Sequence, residues 1–411
     1  MKLKKYDHSI QEQKIYKYWE LKNLFKPTST KSKKTFSIVI PPPNITGKLH
    51  MGHALNNSLQ DVLIRYHRMN GYETLWQPGT DHAGIATQAI VEKNLSNENI
   101  DKNDIGREKF LEKVWEWKAE SGELILEQLK KLGCSCDWSR SRFTMDKQMS
   151  KAVTKVFVAL YNKNLIYKDK KLVNWDTKLQ TAISDLEVVQ NEVHSQLYYI
   201  NYSIDNSQDH ITIATTRPET MMGDTAIAVN PKDKRYKNIV GKFAIIPVVN
   251  RKIKIIEDYY ADPEQGTGAV KITPAHDFND YDVGKRNKLE IINILEKDGK
   301  INGNGIKSYI GLDRFEARKK IIIELKSLNV LEKIENIKNK VPYGDRSNTI
   351  IEPLLTEQWF VDAISLSKKP IQAVKTKKTI FFPDNWTKTF NQWMNNIEPW
   401  CISRQIWWGH R

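Results

Sequence analysis

Two histidines with a glycine between them stand at the start of a predicted helix. His50 and His53 are three residues apart, so they share one face of the first helical turn, and Gly52 adds no Cβ to that face. A helix start presents free backbone N–H groups and the positive end of the helix dipole, which favour a polyphosphate. The residues therefore fit a nucleotide site in which the imidazoles donate to phosphate oxygens. An ordinary turn with two surface histidines, or a metal-binding pair, fits the same spacing.

A second polar group follows two predicted strands further along the chain. The string Thr-Thr-Arg-Pro-Glu-Thr at 215–220 ends one strand, and residues 266–281 span the other. Threonine, lysine, arginine and aspartate side chains at two strand ends suit a pocket that recognises a hydroxyl and an ammonium group. Taken singly, Asp277 and Asp280 also fit N-caps of the following helix, and Lys271 fits a solvated strand residue. No Ser-His-Asp or Cys-His arrangement is evident in this segment, so water is the expected nucleophile.

The elements expected to position the histidine pair are a strand, a loop and a helix. Residues 36–40 form an apolar run typical of a buried parallel strand, and three prolines at 41–43 end it. Residues 51–69 have helical periodicity, a second strand is predicted at 72–76, and another helix is predicted from Ile85 onwards. The alternation predicts an α/β sheet that binds ligands at the carboxyl ends of its strands.

A change of pattern divides the chain into three parts. Short β-rich runs with Pro and Gly turns dominate from about residue 191 to 338, and aromatic, helical patterns return after them. We therefore predict a nucleotide-binding, Rossmann-like α/β domain that is interrupted by a β-rich domain. Its first half is expected at 1–190, the insertion at 191–338 and the return to the α/β domain at 339–411.

Composition limits the class of protein. The 411 residues carry a net charge of +15 and are 40% hydrophobic, which excludes wholesale disorder. No window approaches the roughly 18 to 20 apolar residues of a membrane-spanning helix, and the start does not resemble a secretory signal, so we expect a cytoplasmic protein without a membrane partner. Cys134, Cys136 and Cys401 form neither an even disulfide framework nor a zinc pattern, so they are expected to be reduced thiols. The positive charge fits a polyanionic partner or a lysine-coated surface.

Longer strings connect the chain to a known family. Pro-Pro-Pro-Asn-Ile-Thr-Gly-Lys-Leu-His-Met-Gly-His-Ala-Leu at 41–55 resembles the signature of class I aminoacyl-tRNA synthetases, and the version with Asn44 and Thr46 is similar to that of the valine-specific members. Gly-Thr-Asp-His-Ala-Gly-Ile-Ala-Thr-Gln at 79–88 strengthens the resemblance. Further similar strings cover the rest of the chain, at 136–146, 174–187, 345–347, 352–360 and 400–405.

The resemblance implies a nucleotide-binding α/β domain that activates valine with Mg²⁺-bound ATP and joins it to tRNA(Val). His50, Gly52 and His53 would hold ATP, and the two histidines would act in catalysis. No separate protein metal site is expected, and no zinc site is apparent.

Four further residues would bind the amino acid. The Asp81 carboxylate would pair with the valine ammonium group and orient the substrate carboxylate toward the α-phosphate. Pro41, through its carbonyl, and Asn44 would help, and Trp408 would form the aromatic wall of the pocket. Without the resemblance, Asp81 fits a turn or helix cap, and Trp408 fits core packing.

The β-rich insertion resembles the editing domain of the same family, which hydrolyses mischarged threonyl-tRNA. A hydrophobic valine pocket cannot strongly reject threonine, an isostere with a hydroxyl, and valine-specific synthetases are the standard illustration of this rule. Asp280 would bind the α-amino group of the threonyl ester. The hydroxyl, the terminal adenosine and the attacking water would be held by Thr216, Arg217, Thr220, Lys271, Thr273 and Asp277.

One feature of the family is not found in these residues. The family's catalytic domain closes with a KMSKS-type loop whose lysines stabilise the transferring phosphates, and no such string occurs in this sequence. The chain therefore resembles an N-terminal portion, expected to be monomeric. Two alternatives remain open: a deacylase that uses only the insertion, and a non-catalytic tRNA-binding fragment.

Overall fold

The computed structural model describes residues 7–28 and 34–411. Residues 1–6 and 29–33, which belong to the predicted first half of the α/β domain, lie outside this description. The chain divides into two compact units, Met1–Leu160 with Ile406–Arg411, and Tyr161–Gln405.

The first unit consists of helices and short parallel strand pairs. Strand β1 pairs with β2, and β3 pairs with β4, both in parallel, as predicted for an α/β domain. The bounds of these elements are α1 His8–Leu21, β1 Thr35–Val39, α2 Met51–Met69, β2 Glu73–Gln77, β3 Gly79–Thr80, α3 Gly84–Asn97, α4 Lys102–Lys131, β4 Arg142–Phe143 and α5 Lys147–Tyr161.

The core of the first unit surrounds the loops that leave these strands. Ile40 and Ile45, on either side of the proline loop, are fully buried together with Trp76 at the end of β2. The buried thiols of Cys134 and Cys136 belong to the same cluster and form no disulfide. Burial raises the pKa of Cys134 to about 12, so this thiol is unreactive at pH 7.

The second unit is mainly β. A mixed sheet has the strand order β12-β9-β11-β10-β7-β13, with β8 also paired to β7, and another sheet has the order β15-β14-β5-β6. Its strands are β5 Ile166–Asp176, β6 Thr181–Ala182, β7 Val188–Ile204, β8 His210–Thr215, β9 Ala226–Val229, β10 Phe243–Ile245, β11 Lys252–Glu257, β12 Ala269–Ile272, β13 Leu331–Gly344, β14 Glu352–Val361 and β15 Trp400–Cys401. Its helices are α6 Phe278–Arg286, α7 Arg314–Ser327, α8 Ala363–Lys375 and α9 Trp386–Asn395.

The predicted insertion at 191–338 lies inside this second unit. Both predicted boundaries fall within long strands, since residue 191 lies in β7 and residue 338 in β13. These two strands pair from Val188 with Gly344 to Ile200 with Leu331. Apolar side chains of the strands between β7 and β13, together with those of α7, are buried in one hydrophobic core. The three-part domain division stays a prediction.

None of the helices within the described residues has the length and apolarity needed to cross a membrane.

Candidate functional sites

The histidine pair lies at the N-terminus of α2, after the loop that leaves β1. His50 is the N-cap, and its Nδ1 accepts a hydrogen bond from the Gly52 N–H at 3.1 Å. In return, Nδ1 of His53 accepts the His50 N–H at 3.2 Å, and the two ring centroids are 4.0 Å apart. Because each Nδ1 is an acceptor, the proton of each neutral ring lies on Nε2. The pair therefore presents two Nε2–H donors, which suit phosphate oxygens.

This cap corrects one expectation from the sequence. Free backbone N–H groups were expected at the helix start, but the Gly52 N–H is bonded to the His50 ring and the His53 N–H to the His50 carbonyl at 2.9 Å. The imidazoles replace these amides as outward donors. A Cβ on Gly52 would lie 2.9 Å from Cε1 of His50, so glycine permits the ring position. Partial burial, aided by His50, lowers the pKa of His53, which favours its neutral form at pH 7.

The backbone of Asp81 is paired with the proline loop. Asn44 and Asp81 form a parallel bridge, in which the Asp81 N–H donates to Pro43 O at 2.9 Å and the Ile45 N–H donates to Asp81 O at 3.0 Å. Pro41 and Asn44 are exposed. The structure thus brings Asn44 and Asp81 together. Among the described residues, no hydrogen bond or ring contact joins Asp81 to the histidine pair at the far end of the loop.

The Asp81 carboxylate accepts hydrogen bonds from neighbours that the sequence did not suggest. Its Oδ1 accepts hydrogen bonds from Thr144 Oγ1 at 2.9 Å and the Ala83 N–H at 3.2 Å, and lies 3.2 Å from His82 Nδ1. These hydrogen bonds, that of His82 above all, lower the pKa of Asp81 to about 2 against the opposing effect of burial. His410 stacks edge-on against His82 with centroids 5.3 Å apart. Asp81 is therefore a partly exposed, fully ionised carboxylate at neutral pH.

Trp408 lies in the core of the first unit. Its ring is fully buried there, 5.0 Å from the Trp115 ring between centroids, and its Nε1 donates to His82 O at 2.8 Å. This position matches core packing, the alternative that the sequence left open. Trp408 also supports the Asp81 cluster, because it holds the backbone of the neighbouring His82. Its contact with an amino acid stays a prediction.

Arg217 lies at one wall of a cavity in the second unit. The cavity has a volume of about 640 Å³ and is lined by Thr216, Arg217 and Asp277 among others. The Arg217 guanidinium donates to His276 O at 2.9 Å and pairs with the buried Glu352 carboxylate. These partners fix the guanidinium plane at the cavity wall.

Lys271 stands in a buried polar cluster next to Arg217. Its Nζ donates to Thr220 Oγ1 at 2.9 Å, to Asp224 Oδ1 at 3.0 Å and to Thr273 Oγ1. The Thr220 hydroxyl donates to Arg217 O at 2.9 Å, so the cluster continues to the cavity wall. Lys271 is only 8% exposed, which excludes the solvated strand residue that the sequence allowed.

The two aspartates of α6 have different roles. Asp277 is the N-cap, and its Oδ1 accepts the N–H groups of Asn279 at 2.8 Å and Asp280 at 3.1 Å. Asp280 is buried in the first turn, and its Oδ2 accepts the Thr273 N–H at 2.8 Å. Burial, chiefly, raises the pKa of Asp280 to about 7, with Lys271 opposing the shift. The N-cap alternative therefore holds for Asp277 and fails for Asp280.

The structure brings the predicted editing residues into one connected group. Thr220, Lys271, Thr273 and Asp280 form the buried cluster, whereas Thr216, Arg217 and Asp277 face the cavity. Sequence reasoning missed Asp224, which is fully buried two residues before β9. A charged residue between the Met-Met-Gly turn and an entirely buried strand was the available signal. Within the described residues, no set of three or more histidine, cysteine or acidic side chains could hold a metal ion.

Curated proteins similar to this chain include the valine--tRNA ligase of Pelagibacter ubique, 73% identical over 99% of this chain and 46% of its own length. Those of Caulobacter vibrioides and Dechloromonas aromatica are 54% and 53% identical over 99% and 97% of this chain, and 47% and 43% of their own lengths. The chain thus spans about half the length of these curated relatives.

The family profile described as tRNA synthetases class I (I, L, M and V) matches residues 14–411. The match includes the histidine pair, Asp81 and the Lys271 cluster. The chain belongs to the class I tRNA synthetase family.

Proposed function

We propose that this chain is the part of a valine--tRNA ligase that binds ATP and valine and that hydrolyses mischarged threonyl-tRNA(Val). One observation carries the proposal. Within the described residues, Oδ2 of Asp81 and Oδ1 of Asp280 receive no protein hydrogen bond, although the other oxygen of each carboxylate is bonded. Each carboxylate therefore keeps an acceptor for an α-ammonium group, one in each compact unit.

Valine activation uses the donors of the first unit. The ionised Asp81 carboxylate pairs with the valine ammonium group, and Asn44 lies beside it. A valine carboxylate oxygen then bonds to the α-phosphorus of ATP while the bond to the β-phosphate oxygen breaks, releasing pyrophosphate. The Nε2–H groups of His50 and His53 donate to phosphate oxygens as negative charge develops there. Mg²⁺ would enter bound to ATP and neutralise part of the phosphate charge.

Hydrolysis of the wrong ester uses the second unit. The Asp280 carboxylate pairs with the α-ammonium group of the threonyl ester, and the hydroxyl-rich wall from Thr220 to Thr273 recognises the threonyl hydroxyl. Each of these two hydroxyls keeps one lone pair that can accept the threonyl O–H, whereas valine has no hydrogen bond to offer there, so the wrong ester is favoured. Water adds to the ester carbonyl carbon, and the bond to the ribose oxygen breaks to give threonine and free tRNA. Arg217 and Thr216 at the cavity wall would hold the terminal adenosine.

The remaining features of the proposal follow from the relatives and the charge. The net charge of +15 favours binding of the tRNA polyanion. We infer a cytoplasmic monomer, in keeping with a role in protein synthesis.

A deacylase without ligase activity is the second candidate. The proposed editing residues all lie in the second unit, so the hydrolysis described above draws only on residues of that unit.

The test measures both reactions on the same protein. We expect hydrolysis of threonyl-tRNA(Val) but not of valyl-tRNA(Val), and loss of hydrolysis in Asp280→Ala. Asp282→Ala, an exposed aspartate on the same helix, is the matched control and should keep the activity. Valine-dependent ATP–pyrophosphate exchange that is lost in His50→Asn supports the ligase, and hydrolysis without exchange supports the deacylase. Binding of tRNA(Val) with neither reaction would overturn both candidates.

A further inference from the structure

A buried carboxylate outside the predicted pocket holds the lysine of the pocket in place. Asp224 is fully buried, and its Oδ1 accepts hydrogen bonds from Lys271 Nζ at 3.0 Å and Thr273 Oγ1 at 2.6 Å. Its Oδ2 accepts a hydrogen bond from the Tyr202 hydroxyl at 2.8 Å. Arg251 fixes the backbone at this point by donating to Asp224 O at 2.7 Å. Both oxygens of the Asp224 carboxylate are therefore hydrogen-bonded within the protein, which fixes its orientation.

The hydrogen-bonding capacity of Lys271 is also fully used. An ammonium group has three donors, and those of Lys271 go to Thr220, Thr273 and Asp224. None is directed at Asp280, even though Thr273 connects the two residues: its hydroxyl binds Lys271 and its N–H binds Asp280. Lys271 therefore acts on Asp280 through space and leaves the free Asp280 oxygen open.

Removal of Asp224 would change this arrangement. A buried ammonium group without a counter-ion is costly, and Asp280 is the neighbouring carboxylate with a free oxygen. Lys271 would turn to it and occupy the position that the substrate ammonium needs.

We propose that Asp224 is a positioning residue that binds Lys271 and thereby keeps Asp280 open for the α-ammonium group of the ester. This inference rests on the proposed editing function. It adds a residue that touches neither the ester nor the attacking water.

The charges around Asp280 support the same conclusion. Lys271 of β12 attracts the ionised form of Asp280, whereas Asp277 of the same helix and Asp224 before β9 repel it. The Tyr260 hydroxyl also faces this pair of α6 aspartates. Burial above all raises the pKa of Asp280 to about 7, and the attraction of Lys271 opposes this shift without cancelling it.

The decisive experiment titrates Asp280 by carboxyl ¹³C NMR in the full chain, with Asp280→Asn used to assign the resonance. In Asp224→Asn, Lys271 pairs with Asp280, so the pKa of Asp280 should fall by about 1 to 3. The KM for threonyl-tRNA(Val) should rise by about tenfold or more, with a smaller change in kcat, because the ammonium position is occupied. An unchanged Asp280 titration in Asp224→Asn would overturn the proposal.

A double variant guards against a folding defect in Asp224→Asn. Asp224→Asn with Lys271→Met removes both charges, and replacing both members of a buried ion pair is tolerated far better than removing one. The proposal expects the Asp280 pKa in this double variant to return to about 7 or above. An Asp280 pKa as low in the double variant as in Asp224→Asn would contradict it.

The proposal and the editing function can fail separately. If the unmodified chain hydrolyses no threonyl-tRNA(Val), the function is wrong, and the NMR titration still decides whether Asp224 keeps Lys271 away from Asp280. If the chain is active and the titration does not move, the function stands and the positioning role is wrong.

Discussion

The two units offer the same kind of group, an aspartate with one free oxygen, in opposite environments. Asp81 is partly exposed and accepts three polar contacts on one oxygen, so its pKa is lowered to about 2. Asp280 is buried with a single backbone donor, so its pKa is raised to about 7. Hydrogen bonding decides the charge of the first, and desolvation decides the charge of the second. The first carboxylate is therefore always ready for an ammonium group, whereas the second is ready only near and above neutral pH.

The largest effect is expected from removing the charge in the first unit. Asp81→Ala deletes one partner of a charge pair with the valine ammonium group, which typically costs about 2 to 5 kcal/mol, so the Kd for valine should rise at least about 30-fold. Isothermal titration calorimetry with valine measures this. Asp104→Ala, an exposed aspartate of α4, should bind like the unmodified chain. If Asp81→Ala bound valine normally, Asp81 would not be an ammonium-binding carboxylate, and the comparison with Asp280 would not hold.

Removing the charge of the buried Asp280 carboxylate is expected to increase the stability of the folded chain. The folded-state pKa of Asp280 is about 7 against an ordinary 3.8, so the folded chain keeps a proton that the unfolded chain loses, and stability falls as pH rises through this interval. The cost approaches about 4 kcal/mol above pH 7. Asp280→Asn should therefore raise the free energy of unfolding at pH 8.5 and have little effect at pH 4.

Urea denaturation at both pH values checks this prediction. Asp282→Asn, exposed on the same helix, is the control and should change neither value by more than about 0.5 kcal/mol. Equal effects of Asp280→Asn at the two pH values would show that its carboxyl group is not neutral in the folded chain at low pH.

A smaller effect separates binding from stability at the histidine pair. In Gly52→Ala the new Cβ would lie 2.9 Å from His50 Cε1, so the His50 ring must turn. Its Nε2–H can then no longer donate to the nucleotide. We expect the Kd for ATP to rise by about tenfold, the loss of roughly one hydrogen bond. Thermal stability should hold or increase, because alanine favours a helix over glycine by about 1 kcal/mol.

The matched control for this variant is Gly122→Ala in α4. A Cβ there meets nothing within 4 Å, so this change should leave ATP binding unaltered. A Gly52→Ala chain with normal ATP affinity would show that the capped ring position is not needed.

The smallest effect tests the support of Asp81. Thr144→Val removes the hydroxyl that donates to the ionised Asp81 carboxylate at 2.9 Å, a hydrogen bond to a charged group worth about 1.5 to 3 kcal/mol. Because Thr144 supports Asp81 without contacting valine, only part of this energy is expected to affect valine binding. The Kd for valine should rise a few-fold, with the control Thr154→Val on α5 unchanged. An effect as large as that of Asp81→Ala would mean that Thr144 itself contacts valine.

The apolar periodicity of the sequence predicted where α2 begins and ends, but it did not predict how exposed the apolar residues of this helix are. The bounds of α2 were predicted correctly as 51–69, yet its apolar stripe is exposed, with Leu55 65% and Leu59 60% accessible. Spacing along a helix identifies an apolar face but does not say whether anything covers it. In the same way the strings predicted the residues of the proposed editing site, but the Lys271 ammonium group is held by Asp224, 47 residues away in sequence, and only the pairing of β9 with β12 brings the two together.

The residues of the two proposed sites also combine features that the sequence could predict with features that only the structure shows. His50 and His53 are close in sequence, so their shared face was predictable, whereas the tautomer follows from the reciprocal cap that only the structure shows. Thr144 and His410 join Asp81 from distant parts of the chain and left no local pattern. Local spacing thus predicted that the two histidines share a face, and long-range packing determined the surroundings of Asp81 and of Lys271.

The most direct test of the account follows both proposed sites across pH 5.5 to 8.5 in one preparation. Valine affinity should stay nearly constant, because Asp81 remains ionised throughout this range. The kcat/KM for hydrolysis of threonyl-tRNA(Val) should fall about tenfold per pH unit below about pH 7, as Asp280 takes up a proton. Two profiles that fall together, or a hydrolysis profile that stays flat to pH 5.5, would contradict the claim that the chain holds two ammonium-binding carboxylates of opposite character.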